Sequence, residues 1–333
     1  MTDAHSDTPS LTDRIRAVTA SGTVVGAHFL GMTPVFVLGE EELLFAPQEA
    51  ERRVKVHAGA ILASAGDGAR IITGGDDGTA VTTDAGGQHR LAGADPGRRW
   101  VDQVALGPDG AVVYGAGKIA TVQTANGAAR TWKAPSTVAG LAFAPKGFRL
   151  AVAHYNGVTL WFPNTQAVPE KLEWKGSHLA VAYSPDGKFL VTAMQEPTLH
   201  GWRLADTKHM RMSGYSARVR STSWTADGKF LATSGFEQLI LWPFDGKDGP
   251  MGKQPRLLAP GGARVAVVAC HPQAPIVATG YSDGLILLVR IDDGAEILAR
   301  RPGGAPVTAL AWDPSGAQLA FGCEDGEAGI VAL

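Results

Sequence analysis

The sequence predicts an all-β fold in which small four-stranded sheets repeat around a closed ring. Three observations carry this expectation. A segment of about 40 residues recurs along the 333-residue chain. Each copy holds the turn chemistry of successive hairpins. Aligned copies keep small and large residues in fixed columns, a pattern with no simple explanation in a helical fold.

The clearest copy is residues 179–193, LAVAYSPDGKFLVTA, which returns at 219–234 as VRSTSWTADGKFLATS. Weaker copies centre on Gly68, Gly110, Gly147, Ala274 and Gly316, so the turns follow one another at 37 to 46 residues. An eighth, degenerate copy lies upstream, where VVGAHF at 24–29 leads through 31–33 into PVFVL at 34–38. Four strands in a period of this length make the unit of a β-propeller. The expectation is a single closed β-propeller of eight four-stranded blades. Seven blades are the alternative, with residues 24–45 packed outside the ring.

Within a unit the strands follow from turn chemistry. A run such as 138–143 ends in a Pro-x-Gly turn, and a short apolar strand such as 149–153 follows. Next come tight turns at Asn156-Gly157, Asp77-Gly78, Asp283-Gly284 and Asp325-Gly326, which suit type I′ geometry. Third strands carry Trp161, Trp202 and Trp242, and a more polar fourth strand, such as 209–212 or 296–300, completes the unit.

The columns refine this. Leu106, Phe143, Tyr183, Trp224 and Trp312 are bulky residues suited to packing between radial sheets. One place earlier stand Ala63, Ala105, Ala142, Ala182, Ser223, Ala269 and Ala311, small enough for strands converging on an axis.

In its turns of the 184–187 kind and its Trp-bearing third strands, the chain resembles the WD40-repeat proteins, with degenerate repeats of bacterial type, from about Ile15 to Leu333. It departs from their pattern in offering Trp161-Phe162, Trp202-Arg203 and Trp242-Pro243 where Trp-Asp is usual. No Gly-His pair opens a unit, so the Asp-His-Ser/Thr-Trp hydrogen-bond set that the resemblance implies is incomplete in every unit. The propeller itself does not depend on that set.

Closure follows from edges. The last unit offers strands only at 307–312, 318–322 and 329–333, while 14–19 is a spare strand ahead of the first unit. Pairing the two removes an unpaired edge. Residues 1–12 are therefore expected to be a flexible tail and 13–333 one propeller domain. The longest connection, 243–255, is rich in Gly and Pro and is expected to be the most mobile internal segment.

Composition narrows the function. A formal net charge of −2 gives no electrostatic reason for nucleic acid as a partner. No apolar run is long enough for a bilayer, and the N-terminus lacks the apolar core of a secretory signal. Cys270 and Cys323 are too few for a disulfide framework. A cytoplasmic monomer with reduced cysteines, no membrane contact and no cofactor is the expectation.

Catalytic and metal patterns are thin. Gly280-Tyr281-Ser282-Asp283-Gly284 fits G-x-S-x-G, but a nucleophile elbow needs a strand-to-helix turn, and here the motif joins two strands of a repeat. Gly74–Gly78 lacks the Lys-Ser/Thr of a phosphate loop. Cys270 and His271 are adjacent, yet no ligand spacing of metal type accompanies them. No catalytic residue and no metal ligand is assigned.

Binding is the better expectation. The loops that lead into the first strands ring one mouth of the channel, and they carry Arg98, Arg99, Trp100, His178, Arg218, Arg220 and Arg264. Arg and Trp combine large area with directional hydrogen bonds, so they serve well as contact anchors. Acids at 40–42, 76–77, Glu196, Glu237 and Glu324 are expected farther out on the same face. The favoured reading is a non-catalytic scaffold or adaptor for a protein or peptide. The alternatives are a small-molecule- or metal-binding propeller using His28 and His178 at the mouth, or a propeller enzyme of lactonase or hydrolase type.

Overall fold

A computed structural model describes residues 10–333. Apart from short 3-10 turns at Leu11–Arg14 and Pro108–Gly110, its regular structure is entirely antiparallel β. The first repeat unit is the sheet of strands Val24–Leu30, Thr33–Leu38, Glu42–Phe45 and Arg52–Lys55. Each later unit repeats that up-and-down order, and adjacent units pack in chain order around the ring.

Among the described residues the sheets number seven, and this corrects the expectation of eight separate four-stranded blades. Six sheets have four strands; the seventh has six and serves the two units that turn at Gly147 and Gly187. The cause is a short connection. Strand Glu170–Tyr183 runs through both units, pairing at Glu170–Glu173 with Leu150–Trp161 and at His178–Tyr183 with Phe189–Met194. Gly176, at φ 124°, takes the bend, and Tyr155 pairs with Ser177 across it. The seven-blade alternative matches this sheet count but not its origin. Residues 24–55 form a full sheet inside the ring.

Because a radial sheet buries both faces, its inner strands read as nearly continuous apolar runs. Phe189–Met194 and Leu239–Pro243 are buried at every position. Among the described residues the core divides into eight apolar clusters, one between each pair of neighbouring repeat units. The two units that share the long strand also pack this way, with Leu160, Leu172, Tyr183, Leu190 and Trp202 between them. Towards the axis the backbones converge. A Cβ at Gly74 would collide with the Val101 carbonyl of the next unit.

Strand Ile15–Thr19 lies outermost in the last sheet and pairs with Glu327–Ala332, from Ile15 opposite Val331 to Thr19 opposite Glu327. Val18, Val24, Phe29 and Phe36 pack there with Ala309, Ala320 and Ile330, so the first and last units share one apolar cluster. The expected flexible tail of residues 1–12 falls mostly on residues outside those described. Its inner end differs from the expectation, because Leu11 begins a 3-10 turn and packs beside Ile15, Phe321 and Val331.

Two details of the repeat differ from the sequence reading. At Asp77-Gly78, Asp283-Gly284 and Asp325-Gly326 only the glycine has positive φ. The first and third are three-residue connections and Asp283-Gly284 lies in one of four, and in each the glycine N–H returns to the carbonyl three places back, as in Gly78 to Gly75 at 3.2 Å. Of these four turns, Asn156-Gly157 alone has positive φ at both positions, 69° and 139°. The second detail is register. A bulge falls between Ile61 and Ala63 and another between Val101 and Gln103, which aligns Ala65, not Ala63, with Ala105 in the small column.

Candidate functional site

At or just before the entry to each inner strand, or at the inner half of the long strand Glu170–Tyr183, stands a buried residue: Val24, Ile61, Val101, Val138, His178, Val219, Val265 and Val307 are all nearly inaccessible. The residues just before and just after this plug surround the mouth of the ring. Three of the expected anchors meet there. Arg218, Arg220 and Arg264 line one cavity of about 560 Å³, with Ser221, Ser282, Thr308 and Glu324 in the same wall.

Their backbones are held by serines. Ser234 Oγ accepts from Arg220 N at 3.1 Å and from Ser221 N at 3.0 Å, and Ser282 Oγ accepts from Arg264 N at 3.3 Å. The guanidinium groups are left for the cavity. Arg218 donates to Gln195 Oε1 at 3.1 Å, a neutral partner. Among the described residues, no carboxylate lies in ion-pair contact with any of the three.

Three acids of this face are engaged elsewhere. Glu42 pairs with Arg53 at 3.2 Å, Glu41 with Lys55 at 2.7 Å, and Glu237 accepts from Ser216 Oγ at 2.8 Å. Glu324 shares the cavity wall with the three arginines, so three guanidinium groups face one carboxylate there. Arg98, Arg99 and Trp100 stand on another arc of the rim and do not join this cavity. Arg99 is paired with Asp95, Nη2 to Oδ1 at 2.6 Å, and holds that carboxyl below its ordinary range. Trp100 is 64% exposed.

His178 does not belong with these anchors, and the expectation for it is corrected. It is 0% exposed. Nδ1 bonds Thr192 Oγ1 at 2.7 Å and Nε2 bonds the Trp174 carbonyl at 2.9 Å, so neither ring nitrogen is free. It fills the place of the strand-opening valine. His28, its proposed partner in a metal or small-molecule site, bonds Ser64 Oγ at 2.9 Å. Among the described residues no group of three or more His, Cys, Asp or Glu converges as a metal site would. Cys270 and Cys323 are free thiols, and burial pushes them up to about 12 and about 11, far from a reactive thiolate. The G-x-S-x-G stretch is a strand-to-strand turn between Ile276–Tyr281 and Ile286–Arg290.

Sequence reasoning missed two polar chains between the strands. His57 joins Asp77 at 3.1 Å to Thr73 at 2.8 Å. Tyr215 takes the corresponding place in a later unit, bonding Thr233 Oγ1 at 2.9 Å and accepting from Trp242 Nε1 at 2.7 Å. The signal was their offset, since His57 and Tyr215 precede their threonines by 16 and 18 residues.

The comparisons with known proteins agree with this architecture. Residues 268–333 match the family model described as the anaphase-promoting complex subunit 4 WD40 domain. The chain is 30% identical over 77 residues to WD repeat-containing protein 1-B of Xenopus laevis, covering 22% of this chain and 13% of that protein. The chain thus spans only a small part of that relative's length. A solved structure of the computationally designed Ika8 protein superposes with a TM-score of 0.75 at 17% identity, over 95% of this chain and 98% of that one. Its radial sheets and closed ring make this chain a β-propeller, with similarity to WD40 proteins carried by residues 268–333 and by the 77-residue match.

Proposed function

We propose that residues 13–333 act as one non-catalytic interaction module that holds a protein or peptide at the mouth of the ring. The single observation that carries this is the cavity of Arg218, Arg220 and Arg264, three cations from two repeat units with no carboxylate paired to them among the described residues. Guanidinium groups that outnumber the single carboxylate of a concave wall favour an acidic segment. Each can fork onto a carboxylate with two parallel hydrogen bonds. Trp100, Arg98 and the less available Arg99 offer further contact area on the rim. The matched family model is named for a subunit of a multiprotein complex, which supports a protein as the partner class. We place the protein in the cytoplasm as a monomer, without nucleic-acid or membrane partners. Its near-balanced charge of −2 and two free cysteines support that placement.

The test is substitution of all three arginines by alanine. Truncating an anchor at a buried contact costs about 2 kcal/mol or more, roughly thirtyfold in affinity. Partners recovered with the tagged wild type from its native host are expected to be lost by the variant, with melting temperature nearly unchanged. Recovery of the same partners by an equally stable variant moves the binding surface elsewhere on the ring.

A further inference from the structure

The residue immediately after each strand-opening plug forms a column at the mouth. Val25, Leu62, Ala139, Leu179, Ala266 and Thr308 make up most of it and are uncharged. The exceptions are Arg220, already placed in the arginine cavity, and Asp102. Asp102 sits on the bulge between Val101 and Gln103, and a bulge re-aims the extra side chain out of the ladder. In the last unit the residue at this place, Thr308, donates its hydroxyl to the Val24 carbonyl at 2.5 Å and to Gly322 at 3.1 Å. A carboxylate has no proton to donate. Asp102 Oδ1 is buried and has no hydrogen-bond partner among the described residues.

The side chain lines its own cavity of about 500 Å³, on a different arc from the arginines. Gln103, Ser136, Thr137, Tyr155, Ser177 and the internally bonded His178 share the wall, and among the described residues no lysine or arginine does. Tyr155 is 52% exposed. Burial raises the Asp102 carboxyl above its ordinary range. A half-buried carboxylate with one oxygen left without a donor is unfavourable alone, and a cation bearing N–H groups relieves it with charge-assisted hydrogen bonds. An aromatic ring at the same opening adds attraction for a cation. One carboxylate among hydroxyls suits a monovalent organic cation better than a calcium ion, which takes six to eight oxygens and usually several carboxylates.

We propose that Asp102 is an anionic subsite of the mouth that receives the guanidinium or ammonium group of a basic side chain on the bound partner. This rests on reading the mouth as the docking face. It adds that the partner carries a base for Asp102 besides acids for Arg218, Arg220 and Arg264.

The experiment titrates the intact chain with N-acetyl-arginine amide, N-acetyl-lysine amide and N-acetyl-citrulline amide, the neutral isostere of the first. The readout is carboxyl and tyrosine chemical shifts by NMR. Saturable binding of one or both cations is expected, with citrulline at least about tenfold weaker. Asp102→Asn should erase that preference, and Tyr155→Ala, a change at an exposed ring, should weaken it. Arg218, Arg220 and Arg264 replaced by alanine should leave it intact. Asp102→Asn should melt no lower than wild type, since the amide removes the buried charge. Equal response to arginine and citrulline, no saturable cation binding, or a preference that survives Asp102→Asn overturns the inference. So does a saturable response to calcium chloride in place of the organic cations. A hexaglutamate peptide, whose binding should depend on the three arginines alone, reports separately on the docking-face reading.

Discussion

Trp242 donates its indole N–H to the hydroxyl of Tyr215 at 2.7 Å, across 27 residues of chain. The hydroxyl also bonds Thr233 Oγ1 at 2.9 Å, so one buried oxygen ties a third-strand indole to a second-strand threonine. In the second unit His57 does the corresponding work between Asp77 and Thr73. A phenol thus replaces the imidazole without loss of the link.

Tyr215→Phe removes only that oxygen. Trp242 Nε1 is left without its acceptor in a buried place, while Thr233 keeps its bond to the Ile240 carbonyl at 3.2 Å. An unsatisfied buried donor costs about 1–3 kcal/mol. Denaturant unfolding should show a loss in that range with little change in slope. A variant as stable as wild type would mean that the chain of bonds contributes nothing net.

The closing strand gives a second prediction. Val18 is 4% exposed and packs in the cluster that joins the first and last units. Val18→Asp places a charge there without a partner, whereas Thr19→Asp, on the exposed side of the same strand, does not. The first should lower the melting temperature sharply and promote aggregation through the freed edge of Glu327–Ala332. The second should change it little. Light scattering during a thermal melt compares the two, and similar behaviour would show that this strand does not hold the ring.

How much of this was legible beforehand depends on what made each signal local. Hairpin turns, the Trp-bearing third strands and the apolar pattern at Ile15 and Val18 depend on neighbours in sequence, and they could be read. Arg218, Arg220 and Arg264 could be brought to one rim because the repeat fixes their loop position. The burial of His178 could not be read, because it depends on Thr192 and the Trp174 carbonyl filling both ring nitrogens. Nor could the merged sheet, which turns on the lack of any loop between residues 174 and 177. Connection 243–255 looked mobile by composition. Yet Phe244 is 5% exposed against Phe189 and Trp224, and Asp248 pairs with Arg203.

Acid should weaken the fold in a definite window. Burial, with repulsion from His178, His209 and Arg211, pushes His200 down to about 3, and burial pushes His28 down to about 4. Both are neutral in the folded chain and have an ordinary value near 6.5 when unfolded. Above about pH 6.5 neither state takes a proton and the contribution is whole. As pH falls below 6.5 the unfolded chain protonates first, so stability declines until the folded values are reached. For His28 this amounts to roughly 3 kcal/mol between pH 6.5 and 4. His200 has no hydrogen-bond partner at either ring nitrogen among the described residues and stacks on Trp174 at 4.0 Å. His200→Phe should therefore fold, and it should flatten the fall in stability between pH 6.5 and 4. A slope equal to wild type would show that His200 is not held neutral.

His178 and Arg264 were alike in sequence, both polar residues at the entry to an inner strand, and the structure separates them. His178 is a plug whose two nitrogens are used internally; Arg264 is exposed, and its backbone alone is tied down, by Ser282. Their substitutions should therefore fail in opposite ways. His178→Ala takes a partner from the Trp174 carbonyl, while Thr192 keeps its bond to the His200 carbonyl at 3.1 Å, and it opens a cavity beside Trp202, whose ring lies 5.7 Å away. Both effects belong to the fold, and together they should cost about 2–4 kcal/mol. Partner binding per folded molecule should stay at the wild-type level. Arg264→Ala removes a guanidinium from an open cavity wall, so its melting temperature should move little while affinity for an acidic probe falls. Measuring both variants by thermal melt and by titration with hexaglutamate gives four numbers from one experiment. A crossed result, with His178→Ala stable but non-binding, would put the imidazole in the site and the arginine in the scaffold.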